Sequence, residues 1–101
     1  MYYGKQGYIE AIEHQKEQLL HVLLEAAFAM KNIAGCIIYS VGLDHDQSNK
    51  IYIYEVWKDE LSHQSSLSNP VFINLIQQAR PLIKSMESYP TLTIYGGKGI
   101  I

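Results

Sequence analysis

The sequence predicts an α+β fold: one antiparallel sheet with helices packed on one face. Three observations carry that expectation. Runs with a two-residue apolar period alternate with runs of helical period. Two strand-like runs, "CIIYSVGL" and "KIYIYEVW", are separated only by the polar turn "DHDQSN", which marks an antiparallel hairpin. At 101 residues the chain has the length of one domain, residues 1–101.

The elements follow in order. Residues 1–12 carry Tyr2, Tyr3, Tyr8 and Ile9, a first strand. His14 to Asn32 has a helical period, with Leu20, Leu23, Leu24, Ala27 and Met30 on one stripe. His14, Gln18, His21 and Glu25 fall on the opposite, polar stripe. Gly35 ends the connection, and Ile37, Tyr39, Val41 and Leu43 share one face of the second strand. After the hairpin turn and third strand, Asp59 caps a short helix through about Ser66. Ser68 or Asn69, with Pro70 at the first helical position, opens a further helix. Its stripe is Phe72, Leu75, Ile76, Ala79, Leu82, Ile83 and Met86, with a kink or break near Arg80 because Pro81 removes a hydrogen bond. "TLTIY" is a last short strand, and the glycine-rich tail from about residue 96 is expected to be flexible. The order βαββααβ suits a ferredoxin-like domain.

The third strand bears on assembly. Ile51, Ile53, Glu55 and Trp57 share one face; Tyr52, Tyr54 and Val56 share the other. Both are largely apolar, yet the helices can cover only one. A sheet open to water would show polar residues there. A homodimer joined through the sheet faces is expected.

Bulk properties exclude several classes. A net charge of −2 and eight isolated Lys and Arg give no basic patch for nucleic acid. The longest apolar run, Ala26–Met30, is too short to span a membrane or form a signal peptide. One cysteine, Cys36, cannot form an internal disulfide, so a cytoplasmic location is expected.

The stretch "YEVWKDELSHQSSLSNPVF" puts a carboxylate, an indole and an imidazole at a strand-to-helix join. Glu55 and Trp57 point to one side of the strand, and His63, one turn into the helix, can return to it. Each also has a structural reading. Trp57 can be core, Glu55 a carboxylate satisfied by backbone or tyrosine hydroxyls, and His63 a hydrogen-bonder near a helix start. Cys36 reads as core, Asp44-His45-Asp46 as a solvated turn, and His14 and His21 as surface residues. "GGKG" lacks the context of a phosphate loop. No metal-ligand cluster is legible.

The frame "AMKNIAGCIIYSV", then "IYIYEVWKDELSHQSSLSNPVF", "ARPLI" and "GGKG" resembles the antibiotic biosynthesis monooxygenase family, its quinol monooxygenase branch above all. The resemblance runs from about Tyr3 to Gly99. It implies a dimeric α+β barrel with a pocket between sheet and helices. It also implies oxygenation of an electron-rich aromatic such as a hydroquinone by molecular oxygen, with no metal, flavin or haem. In members that oxidise anthrones, a tryptophan matching Trp57 lines the pocket, and an arginine further on matches Arg80. Where those members have Asn and Tyr, this chain has Ile53 and His63. The quinol-type branch has Glu and His where this chain has Glu55 and His63. The haem-degrading relatives need His and Trp where Ile76 and Ser66 stand, which disfavours haem chemistry.

On that resemblance the expected site is catalytic Glu55, Trp57 and His63, with Phe72, Ile76 and Arg80 binding substrate. A hydroquinone attacks oxygen best as its anion, and His63 or a desolvated Glu55 could take the proton. Trp57 offers a flat wall and an N–H for a developing anion. Two other readings stand beside this one: a non-oxygenase, isomerase-type enzyme on a small metabolite, and a non-catalytic binding or stress-response dimer. The lining of Trp57, Phe72 and Ile76 favours a flat apolar ligand.

Overall fold

The computed structural model describes residues 1–100. Strand β1 (Tyr2–Ala11) leads into helix α1 (Lys16–Ala29), which ends in a 3-10 turn over Met30–Asn32. The hairpin β2 (Cys36–Leu43) and β3 (Lys50–Trp57) follows, then helices α2 (Glu60–Ser66) and α3 (Pro70–Ala79). A second 3-10 turn, Arg80–Leu82, opens into β4 (Ile83–Ser88), and β5 (Leu92–Ile94) closes the chain. All strand pairs are antiparallel, in the order β2-β3-β1-β4, with β5 beside the start of β1. With its helices packed on one face, this is a ferredoxin-like α+β domain.

The helix starts follow local chemistry. Asp59 Oδ1 accepts the backbone N–H of Ser62 at 2.8 Å and caps α2. Asn69 Oδ1 accepts from Val71 N–H at 2.9 Å and Phe72 N–H at 3.4 Å, and Pro70 occupies the first turn of α3. Gly35 has φ of +91°, and a Cβ there would lie 2.6 Å from Ser62 Oγ. Only glycine lets the chain turn this tightly beneath α2. Lys58 N–H then donates to Gly35 O at 2.7 Å, tying the end of β3 to the turn before β2.

Two expectations about elements change. The helical stripe drawn through Ile83 and Met86 stops at Ala79, and those two residues lie on β4. Pro81 does more than kink the helix. The chain leaves it extended, and β4 gains a partner in β1, with Ile83 opposite Ala11 and Met86 opposite Ile9. The buried face of α1 is Leu19, Val22, Leu23 and Ala26, with Met30 beyond its end. Leu24 is exposed, so the helix is rotated from the stripe read in the sequence. Nearly every position from Leu19 to Met30 is apolar, so several stripes are possible there, and packing against the sheet and α3 selects one.

The core lies between the helices and one sheet face: Ile9, Ala11 and Ile51 from strands, Leu19, Leu23 and Ala26 from α1, Leu75 and Ala79 from α3. The opposite face carries a tyrosine cluster. The Tyr8 ring is 5.8 Å from Tyr52 and 6.3 Å from Tyr89, and Lys50 Nζ sits 4.6 Å over it. Among the described residues no helix is long and apolar enough to cross a membrane.

Candidate functional site

Three adjacent strands set the site. Glu55, near the end of β3, is registered against Lys5 of β1 on one side and Tyr39 of β2 on the other. Cross-strand partners point to the same face, so all three project toward the helices. They form part of the sheet-side wall of a cavity of about 300 Å³, whose helix-side wall includes Leu23, Phe72 and Ile76. That volume is at the lower end for a ligand site and suits one or two rings.

Behind Glu55 lies a compact polar-aromatic group. Trp57 is completely buried, and its indole N–H donates to Glu55 Oε1 at 3.0 Å. His63 Nε2 stands 3.8 Å from the same oxygen, too far for a hydrogen bond. The imidazole packs with its centroid 5.5 Å from Trp57, edge to face, and 5.5 Å from Tyr3. Glu55 and His63 side chains keep 17% and 14% of their exposure. Glu55 Oε2 has no hydrogen-bond partner among the described residues.

Burial sets the ionisation. Desolvation pushes the Glu55 carboxyl above its ordinary value, and the Trp57 N–H and the Lys5 charge pull only partly against it. His63 is held below its ordinary value, by burial first and the Lys5 charge second, while Glu60 opposes. The imidazole is therefore neutral at neutral pH. Tyr39 is pushed far up by burial and then by the Glu55 and Cys36 charges, so it stays a phenol. Cys36 is raised by burial and by Glu55, which makes a thiolate nucleophile unfavourable.

Glu55, Trp57 and His63 thus form one contiguous group, but of the three only Glu55 lines the cavity. Trp57 lies behind the carboxylate. Phe72 and Ile76 do line the cavity. Arg80 does not: it is exposed at the end of α3 and lines an adjoining groove that shares Leu67, Phe72 and Ile76 with the cavity. Lys5 and Tyr39 join the expected residues in the cavity wall. Strand alternation puts Lys5 on one face of β1 with Tyr3 and Ile9, a signal that one face carries a charge, but which residue it opposes depends on register.

Residues 3–78 match the family model for antibiotic biosynthesis monooxygenase. Among solved structures, a candidate antibiotic biosynthesis monooxygenase from Chloroflexus aurantiacus is 35% identical, with 99% of each chain covered and a TM-score of 0.88. A candidate of the same description from Bacteroides thetaiotaomicron is 16% identical, with 95% of this chain and 92% of that one covered and a TM-score of 0.84. A conserved protein from Methanosarcina mazei is also 16% identical, with 88% and 89% covered and a TM-score of 0.80. The last two likenesses are of fold alone. No curated protein matches the chain.

Proposed function

The chain belongs to the antibiotic biosynthesis monooxygenase family, and on that premise we propose that it is a monooxygenase acting on a small quinol-like aromatic. The reaction takes molecular oxygen and draws on no metal, flavin or haem. The site is the cavity between sheet and helices. One observation carries this reading: a buried carboxylate, Glu55, with one oxygen held by Trp57 N–H and the other unbonded among the described residues, set in the wall of a largely apolar cavity.

The chemistry needs little more from the protein. Oxidising a hydroquinone to a hydroxyquinone consumes one O₂. One oxygen atom enters the ring, the other leaves as water, and the ring supplies all four electrons. The step a side chain can assist is loss of the first phenolic proton, which makes the ring electron-rich enough to reduce oxygen. Glu55 is suited to it, because desolvation raises its affinity for a proton toward that of the substrate. Trp57 and His63 act here as positioning residues. The indole N–H fixes Glu55 Oε1, and the imidazole closes the far side of the group. Phe72 and Ile76 supply the flat apolar contacts.

A base beside a small cavity also suits a second reading, proton transfer in an isomerase on a small metabolite, which Lys5 and Glu55 in one wall favour. Oxygen-electrode measurements over a panel of hydroquinones decide between them. Uptake that requires Glu55 supports the oxygenase. Proton exchange at a substrate carbon with no oxygen consumption would replace it with the isomerase. We further propose that a second copy covers the tyrosine face as a homodimer. The motive is an aromatic face that no helix of the same chain covers. Light scattering at micromolar concentration checks it, and a monomer there would overturn it.

A further inference from the structure

Lys5 is an unusual residue for its place. It lies midway along β1, half-buried, on the face that carries the core, and it lines the cavity. Directly across from it is Glu55, where side chains stand close enough to pair. They do not pair. The only lysine among the described residues at salt-bridge distance from a carboxylate is Lys84, beside Glu10, and Glu55 Oε1 is held by Trp57 instead. An ammonium has three donors and no acceptor. Lys5 thus brings to a largely apolar cavity a cation with no counterion contact among the described residues, beside a carboxylate with one oxygen unbonded among them.

We propose that Lys5 is the oxyanion anchor of this cavity, holding the oxygen of a phenolic ligand as the anion while Glu55 Oε2 takes its proton. The O–H bond of the ligand breaks, an O–H bond forms on Glu55, and the total charge of the site is unchanged. No electrons move in this step. The arrangement selects for a class of ligand. A phenol brings its own proton and ends as one anion beside one ammonium. A ligand that arrives already charged, such as a benzoate, leaves two carboxylates facing one ammonium. A ring without a hydroxyl leaves Lys5 unused. Small phenols and quinols are therefore preferred over aromatic carboxylates and ethers. The inference rests on the oxygenase reading only for what happens after binding.

The test uses 4-nitrophenol, whose anion is yellow, with 4-nitroanisole and 4-nitrobenzoate as controls. Titration of the folded protein is expected to give a yellow complex at a pH where the free phenol is mainly colourless. Lys5→Met should weaken that complex roughly 10- to 100-fold, the usual worth of a charge-assisted hydrogen bond, and lose the colour. Lys5→Arg should retain most of both. Binding of 4-nitroanisole should be the same in wild type and Lys5→Met, which also shows that the variant is folded. A wild-type protein that binds no 4-nitrophenol overturns the proposal, as do tighter 4-nitrobenzoate binding and a Lys5→Met complex as tight and as yellow as wild type. A yellow, Lys5-dependent complex in a protein that consumes no oxygen with any hydroquinone would keep the anchor and remove the oxygenase reading. Undiminished oxygen uptake by Lys5→Met would do the reverse.

Discussion

Replacing Trp57 with Phe asks what the indole N–H does. The substitution keeps an aromatic ring in a fully buried position and deletes the donor that lies 3.0 Å from Glu55 Oε1. A hydrogen bond to a charged group contributes about 1.5–3 kcal/mol. The smaller ring leaves a void of at least methyl size, costing ~1 kcal/mol more. The sum, roughly 2.5–4 kcal/mol, is a large part of the stability of a domain this size. At about 4–8 °C per kcal/mol, the melting temperature should fall by roughly 10–30 °C. The same deletion has a second, independent signature. The Trp57 hydrogen bond is the chief force pulling the Glu55 carboxyl downward against burial. Without it Glu55 should hold its proton to higher pH, and the acid limb of the pH–rate profile should move upward. Oxygen uptake measured across pH at a temperature where the variant is folded reads this directly. An acid limb that stays in place would refute the assignment of Trp57 as the residue that tunes Glu55, even if the protein were destabilised as expected.

Glu55→Gln should reduce turnover by about 10²–10⁴-fold, the usual cost of a lost positioned base, and should abolish the acid limb. Because an amide carries no desolvated charge yet still accepts from Trp57, the melting temperature at neutral pH should hold or rise; a marked fall would make the carboxylate structural. His63 is depressed by burial, so the stability of its neutral form is full above the ordinary value of 6.5 and is lost as pH falls toward the folded value. Glu55 is raised and runs the opposite way, its burial penalty fading as pH falls from its folded value toward the ordinary 4.5. His63→Gln should therefore remove a loss of melting temperature that begins below about pH 6.5 in wild type, and an unchanged slope would refute the sign. Asn69→Ala should cost about 0.5–2 kcal/mol through the lost cap of α3, with turnover per folded molecule unchanged; a larger loss of turnover would show that the cap also orients Phe72.

The features legible in the sequence were those governed by near neighbours along the chain. Alternation at two residues put Glu55 and Trp57 on one face, and the polar turn between two β-rich runs marked the hairpin of β2 and β3. Asp59, Asn69 and Pro70 announced their helix starts because a cap is made within three residues. Phe72 and Ile76 share the cavity for the same reason, being one helical turn apart. What required the tertiary structure depends on partners distant in the chain. Residues 83–88 carry apolar spacing that fits a helix, and the open edge of β1 made them a strand. The rotation of α1 was chosen by what it packs against. Arg80, at the end of α3, faces a groove next to the cavity rather than the cavity itself. Lys5 and Glu55 are fifty residues apart, and the β1–β3 register brings them together. That register is the sum of a whole ladder of pairings, and a slip of one residue would turn Lys5 to the opposite face. The residue types of the site are therefore a property of the sequence, while which of them meet the cavity, and which lie behind it, is a property of the assembled sheet.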